Sequence, residues 1–167
     1  DAGVDYRLRT LTQAHLWLSP LNSETQQQMD KLWLALAGAK RSHAPELEIN
    51  HRPFPTLGVE NQTLAASFTT LCVDARSQHD YIALSRLFHT VLLFDMPVST
   101  PLMESEARRF IALVDDFCER HVKLVVSAER PLAEIYQGNA LQFEYRRCLS
   151  RLQEMQSEEY LRLEHLA

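Results

Sequence analysis

The sequence lacks the features that mark several classes of protein. It has no G-x-x-x-x-G-K-[ST] phosphate loop, and its four glycines form no Gly-rich linker. Its longest apolar run covers residues 32–39, far short of the roughly 20 residues that span a bilayer. No signal peptide opens the chain, and a net charge of −5 disfavours a nucleic-acid groove, which needs a basic face. We therefore expect a cytoplasmic protein with no transmembrane segment and no nucleic-acid partner.

Cysteine and histidine show no metal-site spacing. The cysteines Cys72, Cys118 and Cys148 lie far apart and form neither a C-x-x-C motif nor a disulfide framework. We expect them to be reduced and buried. Two histidines, His89 and His121, directly precede predicted strands and are interpreted as structural. The same interpretation applies to the other histidines, at positions 15, 43, 51, 79 and 165, so no metal site is predicted.

What the sequence does contain is a strong pattern between residues 88 and 129. An apolar run over 90–95 ends in Asp95, an amphipathic helix is predicted over 101–121, and a second apolar run covers 122–128. This order predicts a βαβ unit, which is normally right-handed. Because both runs are rich in β-branched residues and nearly continuous, they are typical of a parallel sheet covered by helices. We expect this unit at the centre of the fold.

The helix of this unit gives the clearest local signal. Thr100 is expected to cap its start, with Pro101 at the first helical position. Two i,i+4 ion pairs are predicted on its solvent side, Glu104–Arg108 and Asp116–Arg120. One apolar stripe recurs at helical spacing and is expected to face the core: Met103, Ala107, Phe110, Ile111, Val114, Phe117, Cys118 and His121.

The first forty residues predict strands followed by a helix. Residues 6–18 alternate polar and apolar positions and predict one or two strands. Ser23 with Gln26 is a candidate capping box. The helix that follows carries Met29, Leu32, Trp33 and Leu36 on one face, and Gly38 is placed where a helix ends. A polar loop is predicted over 39–45.

The next segment predicts a small antiparallel excursion. Strands are expected over 47–53 and 63–71, on either side of a turn-rich stretch over 53–58, with a third short strand near 56–60. This gives residues 1–78 an α+β character.

The last part of the chain is predicted to be mostly helical outside the βαβ unit. A loop over 74–79 with Ser77 or Asp80 as cap leads into a short helix ending near residue 88. After the second central strand, a helical turn is predicted over 131–136, a helix over 141–155, and a final short helix capped by Ser157. The predicted fold is therefore α/β: a short parallel sheet with flanking helices and a βαβ core (79–167), plus the N-terminal α+β extension (1–78) with its hairpin, together forming one compact unit.

An apolar strand that ends in an acid, as at Asp95, is half of a Walker B pattern. In that pattern the Asp holds Mg²⁺ through water and a following Glu orients the attacking water. Here Met96 stands where the Glu belongs, and without a phosphate loop the triphosphate has no cradle. A structural role for Asp95 is therefore the favoured interpretation. Ser127, near the end of the second strand, stands where an ATPase sensor belongs, but the start of a loop is the favoured alternative.

Three arginines, Arg146, Arg147 and Arg151, crowd the predicted helix over 141–155. Such side chains can reach a phosphate or an acidic partner. The open alternative is ion pairing with glutamates on a solvated face, which is the usual outcome.

Five stretches stand out when they are taken together: Asp5-Tyr6-Arg7, 86–91 with 94–97, 106–115, 123–128 and 150–155. In their sequences and in their order along the chain, these stretches resemble the ZapE-like cell-division ATPases of bacteria, a P-loop family of the AAA type that has mitochondrial relatives. The resemblance runs from end to end of the chain. Long ungapped segments such as these are more specific for a family than any single motif described above.

The resemblance implies that this chain is the C-terminal portion, about half, of a larger protein, and its start at Asp1 rather than at Met fits that expectation. ZapE-like ATPases carry their Walker A loop, Walker B Asp-Glu and first sensor upstream of the Asp-Tyr-Arg segment. ATP and Mg²⁺ are therefore expected as cofactors of the whole protein, and the portion alone is expected to be inactive.

The family hydrolyses ATP and, in bacteria, acts at the division septum on FtsZ polymers, whose stability it reduces when ATP is present. The partners that the resemblance implies are FtsZ, the remainder of the ATPase chain and a second copy in a homo-oligomer. Arg7 and Arg151 lie within the stretches that resemble the family and are the candidate nucleotide-proximal arginines. Structural ion pairing is the alternative. The alternative function, from another class, is a non-catalytic protein-interaction module.

Overall fold

A computed structural model of the protein describes residues 2–41, 44–74 and 76–167. Its α-helices are, in chain order, α1 (Ala2–Gln13), α2 (Ser23–Ala37), α3 (Gln78–Leu87), α4 (Glu104–Glu119), α5 (Gln142–Glu154) and α6 (Glu158–Leu161). Its strands are β1 (Trp17–Leu18), β2 (Glu46–Ile49), β3 (Arg52–Pro55), β4 (Gly58–Glu60), β5 (Thr63–Ser67), β6 (Thr90–Met96) and β7 (Lys123–Ala128). One π-helical turn (Thr69–Val73) and two 3-10 turns (Pro101–Met103, Leu132–Glu134) complete the regular structure of the described residues.

The predicted α/β architecture is confirmed. Five strands form one sheet in the order β1-β7-β6-β5-β4, in which β4 alone is antiparallel to its neighbour. The strands β2 and β3 form the separate antiparallel hairpin that was expected in the N-terminal segment. Helices flank the sheet: α2 contacts β5, β6 and β7, and α4 packs with α3 and α5. The sheet therefore takes strands from both sides of residue 78.

The central βαβ unit is also confirmed. β6 and β7 run parallel from the pair Thr90–Lys123 to the pair Leu93–Val126, and α4 connects them. Pro101 begins the 3-10 turn that precedes α4, and the Thr100 hydroxyl accepts a hydrogen bond from the Leu102 amide, as expected of a cap. The buried face of α4 follows the predicted stripe, with Leu113 added: Ala107, Phe110, Leu113, Val114, Phe117 and Cys118. Burial of this face, worth roughly 1.5–3 kcal/mol for each large side chain, fixes the helix on the sheet.

The two ion pairs predicted along α4 are wrong. The Glu104 carboxylate accepts hydrogen bonds from Tyr136 and from backbone amides of the following loop, and Asp116 accepts one from Gln78. Exposed i,i+4 pairs contribute only a few tenths of a kcal/mol, so contacts between elements displace them easily.

The strand predicted at the start of residues 6–18 is also wrong. Residues 2–13 form α1, and the strand β1 covers only Trp17 and Leu18. Leu8 and Leu11 are spaced three apart and both pack on the core, Leu11 fully buried. Over so short a stretch, apolar residues at this spacing fit a helix as well as a strand. Contacts of α1 with α2 and α6 stabilise the helix over the strand.

The cap of α2 lies one residue earlier than predicted. Asn22 and Thr25 form the capping box, because the Asn22 side chain accepts from the Thr25 amide (2.9 Å) and the Thr25 hydroxyl accepts from the Asn22 amide (3.1 Å). Ser23 and Gln26, the predicted pair, do not form it. The predicted end is confirmed: Gly38 adopts φ +80°, a left-handed conformation that glycine takes without strain. Met29, Trp33 and Leu36 are buried, as expected.

Two tight turns set the strand boundaries in the middle of the chain. Asn50–His51 and Asn61–Gln62 all have positive φ angles, between 49° and 66°, and this geometry joins β2 to β3 and β4 to β5. The predicted strand over 47–53 therefore contains a turn, and the predicted turn over 53–58 contains most of β3. The strand predicted over 63–71 ends earlier, at Ser67, and is followed by the π-helical turn. The short strand expected near 56–60 is confirmed as β4. Of the loop predicted over 39–45, residues 42 and 43 lie outside the described residues.

The remaining helices predicted for the C-terminal half are confirmed. The helix α3 begins at Gln78, inside the loop predicted over 74–79, of which residue 75 lies outside the described residues. Ser77 caps α3, with its amide donating to the Asp80 carboxylate (3.1 Å), and α5 and α6 occupy the predicted positions, with Ser157 capping α6. Cys72, Cys118 and Cys148 are free and buried. None of the helices in the described ranges is long and apolar enough to cross a membrane.

Candidate functional site

The carboxyl ends of β6 and β7 meet at one edge of the sheet, the position at which open α/β sheets bind ligands. The pairing of β6 with β7 shifts between Leu93 and Met96, which is a β-bulge. Asp95 lies in this bulge with φ +66°, and its side chain is exposed while Phe94 and Met96 are buried. The Asp95 amide donates a hydrogen bond to the Ser127 hydroxyl (2.9 Å). The structure thus brings together the two residues that the sequence analysis singled out on these strands.

A shallow pocket of about 230 Å³ opens beside this pair. Asp95 and Ser127 line one side, and the start of α2 supplies Asn22, Thr25 and Gln26. Asn22 and Thr25 already bond each other as the cap of α2, which keeps that wall in place. β-Bulges commonly re-aim a side chain next to a functional site, and here the bulge turns the Asp95 carboxylate toward solvent.

The loops at this edge are fastened by the protein's own polar groups. Ser99, in the loop after β6, pairs with the chain around Tyr136 through amide–carbonyl hydrogen bonds of 2.8 Å to Ile135 and from Gln137. The Glu129 carboxylate accepts from the Val98 amide (2.9 Å). These bonds make the edge a firm surface rather than an open cleft.

Glu104 holds the two edge loops to the start of α4. Its carboxylate accepts from the Tyr136 hydroxyl (2.8 Å) and from the Asn139 and Ala140 amides. Desolvation raises the pKa of Glu104, but these hydrogen bonds outweigh it and leave the pKa below its ordinary value. A side chain on Gly138 would collide with the Glu104 carboxylate and the Tyr136 ring, so glycine is required at that position.

The chemistry available at this edge is limited. The edge offers one free carboxylate, Asp95, and the neighbouring Met96 is buried and has no group to orient a water. Within the described ranges, no group of three or more His, Cys, Asp or Glu side chains could hold a metal ion. In the described residues, this edge is a supporting surface with an exposed carboxylate at Asp95 and without the backbone nest that holds a triphosphate.

The two candidate nucleotide-proximal arginines have different partners. Arg151 on α5 forms an ion pair with Asp115 on α4 (3.0 Å) and also contacts the Cys118 thiol. Arg7 on α1 donates to the imidazole Nε2 of His89 (2.6 Å), at the amino end of β6. Both arginines are half-buried. Arg146 and Arg147 are exposed.

Three of the histidines predicted to be structural, His89, His121 and His165, hold turns and the C-terminal tail, whereas His15, His51 and His79 are exposed. His121 bonds the Glu164 carbonyl (2.8 Å) and His165 bonds the Ser85 carbonyl (2.7 Å). His89 bonds Arg7 and the Thr90 hydroxyl. His43 lies outside the described residues.

One charged residue at the amino end of the sheet was missed by the sequence analysis. Lys123 starts β7 and is buried, with its ammonium group donating to three backbone carbonyls, at His121, Tyr160 and Leu163 (2.7–3.2 Å). The signal was available, because a lysine inside a β-branched apolar run is unusual unless its charge has partners.

Comparison with known proteins gives a consistent result. The model of the AFG1-like ATPase family matches residues 1–164. The cell division protein ZapE of Escherichia coli is 83% identical over 167 residues, which cover 100% of this chain and 44% of that protein. No solved structure matches the chain.

More distant relatives occur in eukaryotes. An uncharacterized protein of Schizosaccharomyces pombe is 26% identical over an alignment that covers 96% of this chain and 42% of the relative. The lactation elevated protein 1 homolog B of Danio rerio is also 26% identical, with 96% and 39% covered. The chain thus spans less than half the length of the curated relatives that it matches.

Proposed function

Because this chain belongs to the AFG1-like ATPase family, we propose that it is the C-terminal portion of an ATP-hydrolysing cell-division protein. The observation that carries the proposal is the 83% identity, over the whole chain, to a protein named for cell division. At that identity the fold and the buried contacts described above are expected in both proteins. The share of the relative that is covered, 44%, leaves room for the nucleotide-binding half elsewhere in the whole protein.

The geometry of the carboxyl edge supports this division of labour. Asp95 and Ser127 occupy the places of a Walker B acid and a sensor, but no phosphate loop or catalytic Glu accompanies them. We propose that ATP and Mg²⁺ are held by the remainder of the protein, and that residues 1–78 and 79–167 form one unit that buttresses it. The chain alone is then catalytically inactive.

We propose Arg7 and Arg151 as the residues of this portion that approach the nucleotide in the whole protein. The Arg151–Asp115 ion pair offers a matched comparison, because Arg151→Ala and Asp115→Ala break the same contact. If Arg151 serves the nucleotide, Arg151→Ala lowers ATP turnover by the full-length protein well below that of Asp115→Ala. Equal turnover and equal stability in the two variants would show that the pair is only structural.

For Arg7 the matched control is Arg9, which lies on the same helix and is exposed. Arg7→Ala is expected to lower ATP turnover by the full-length protein, whereas Arg9→Ala is expected to leave it unchanged. The same loss in both variants would point to a general effect of charge on α1 and not to a role at the nucleotide.

We further propose that the whole protein acts on FtsZ polymers at the division septum, as a homo-oligomer in the cytoplasm. This part of the proposal rests on the family resemblance. Two large apolar side chains near the carboxyl edge, Leu102 (95% exposed) and Phe143 (64% exposed), favour the second candidate, a protein-interaction module.

One pair of binding measurements separates these functions. Labelled ATP and purified FtsZ polymers are added separately to this chain and to the full-length protein. The proposed function expects ATP hydrolysis by the full-length protein and no ATP binding by this chain alone. FtsZ binding by this chain without ATP binding favours the interaction module, and ATP hydrolysis by this chain unaided would refute the division of labour.

A further inference from the structure

A cavity of about 570 Å³ lies at the amino ends of β6 and β7, the edge opposite Asp95 and Ser127. The helix α1, the first residues of the two strands and the tail that follows α6 form its walls. Five basic or imidazole side chains line it: Arg7, His89, Lys123, Arg162 and His165. Apolar side chains also line it: Val4, Leu8, Leu11, Leu161 and Leu163. The cavity therefore combines a basic region with an apolar one.

Among the described residues, neither Arg7 nor Lys123 has an acidic partner. Lys123 is 8% exposed and donates only to backbone carbonyls, and the Arg7 guanidinium donates to the His89 imidazole. The ion pairs found among the described residues leave Arg7 and Lys123 out. Arg162, which also lines the cavity, is exposed and pairs with Glu158. Glu164 also lines the cavity, but its side chain is exposed to solvent. Two like charges that share a partly buried site disfavour each other unless an anion joins them.

The protonation state of His89 keeps Arg7 ready for an acceptor. Because an arginine only donates, the His89 Nε2 must accept from Arg7 (2.6 Å), and the protonated Nδ1 faces the Thr90 hydroxyl (2.9 Å). Burial, together with the charges of Arg7, His165 and Lys123, lowers the pKa of His89 to about 4. His89 is therefore neutral at pH 7 and orients the guanidinium without neutralising it. Among the described residues, the hydrogen bonds of the guanidinium engage only its Nη1.

Because Arg7 lines this cavity, an oxyanion bound there is an alternative to the nucleotide role proposed for that residue above. Parallel sheets bind nucleotides at the carboxyl ends of their strands, whereas this cavity lies at the amino ends. Arg7 on α1 and His165 on the tail come from opposite ends of the chain, and the fold brings them together around His89, whose ring lies 6.3 Å from that of His165.

We propose that this cavity binds a small organic oxyanion, with its phosphate or carboxylate group on Arg7 beside the charge of Lys123 and its short apolar body against the leucines of α1 and the tail. The planar fork of an arginine suits both kinds of oxyanion. The proposal does not depend on the function of the whole protein.

The test is a titration of the 167-residue chain at low salt with inorganic phosphate in one arm and with hexanoate in the other, followed by NMR of the histidine ring nitrogens. Binding is expected to saturate, to shift the His89 ring signals and to raise the pKa of His89, because the anion offsets the neighbouring cations. The arm that binds more tightly tells phosphate from carboxylate ligands. No saturable shift in either arm would overturn the proposal.

Variants sharpen the test. Arg7→Gln is expected to weaken binding about tenfold or more, the effect of losing a charge-assisted hydrogen bond, while Arg9→Gln on the same helix leaves binding unchanged. Val4→Glu, at an exposed position in the cavity wall, places a carboxylate there and is expected to weaken binding as strongly, which keeps the test valid if Arg7→Gln fails to fold. Equal affinity in Arg7→Gln, Val4→Glu and the unchanged chain would overturn the proposal.

Discussion

The two edges of the central sheet are built from the same strands and differ in how their polar groups are satisfied. At the carboxyl edge, the loops bond each other through Ser99, and the carboxylates of Glu104 and Glu129 accept backbone amides. At the amino edge, Arg7 and Lys123 line a cavity, and no acid within the part of the chain that the structure describes bonds to either. The loops of the carboxyl edge are therefore held by the chain's own groups, whereas the amino edge is suited to an anion from outside the chain.

The largest expected effect concerns the packing that supports the carboxyl edge. Phe110 on α4 is fully buried and its ring contacts those of Trp17, Phe68 and Tyr145. Phe110→Ala should reduce the free energy of unfolding by about 3–5 kcal/mol, because it removes apolar contact and leaves a cavity. The measurement is urea-induced unfolding followed by circular dichroism.

The matched control for this change is Phe143→Ala. Because the Phe143 side chain is 64% exposed, this substitution should change the free energy of unfolding by no more than about 0.5 kcal/mol. Losses of similar size for the two phenylalanines would contradict the assignment of Phe110 to the core of the carboxyl edge.

A smaller effect is expected at the bulge itself. Ser127→Ala removes the acceptor of the Asp95 amide and should cost about 1 kcal/mol, the net value of one hydrogen bond. Hydrogen exchange of the Asp95 amide should become faster, which reports the bond directly. Ser150→Ala, at an exposed position on α5, is the control, and unchanged exchange at Asp95 in Ser127→Ala would rule out the bond.

At the amino edge, His89 should make the free energy of unfolding depend on pH. The pKa of His89 is lowered to about 4 in the folded chain from an ordinary value of 6.5, so between these values the unfolded state binds more protons. Stability should therefore be unaffected by His89 above pH 6.5, fall as the pH decreases toward about 4, and level off below that. Unfolding is measured across this range.

The comparison that isolates this effect is His89→Gln, whose amide oxygen can still accept from Arg7. This variant should lose less stability than the unchanged chain when the pH falls from 6.5 to 4. If both chains lose the same stability over that interval, His89 is not held neutral by its surroundings.

The smallest expected effect is at Leu102, whose side chain is 95% exposed beside the carboxyl edge. Leu102→Ser should change the free energy of unfolding by no more than about 0.5 kcal/mol. The same variant in the full-length protein tests the interaction-module function, since a loss of FtsZ binding at unchanged stability would support that function. A clear loss of stability would mean that Leu102 packs against the chain.

The sequence by itself determined the centre of this protein. The βαβ unit over residues 90–128 was predicted correctly because its signals are local: two β-branched apolar runs, a helical stripe and a Thr-Pro start. Local signals also placed α5, α6 and the end of α2 at Gly38. The family resemblance likewise followed from short segments of the sequence, and the match over residues 1–164 confirms it.

Only the tertiary structure decided the rest. Residues 2–13 became a helix because α2 and α6 offer it a surface, and no local pattern records that contact. The cavity at the amino edge brings together Arg7, His89, Lys123 and His165 from four separate places in the chain. Spacing in sequence carries no information about such a meeting, since only the order and direction of strands determine which residues share one edge of a sheet.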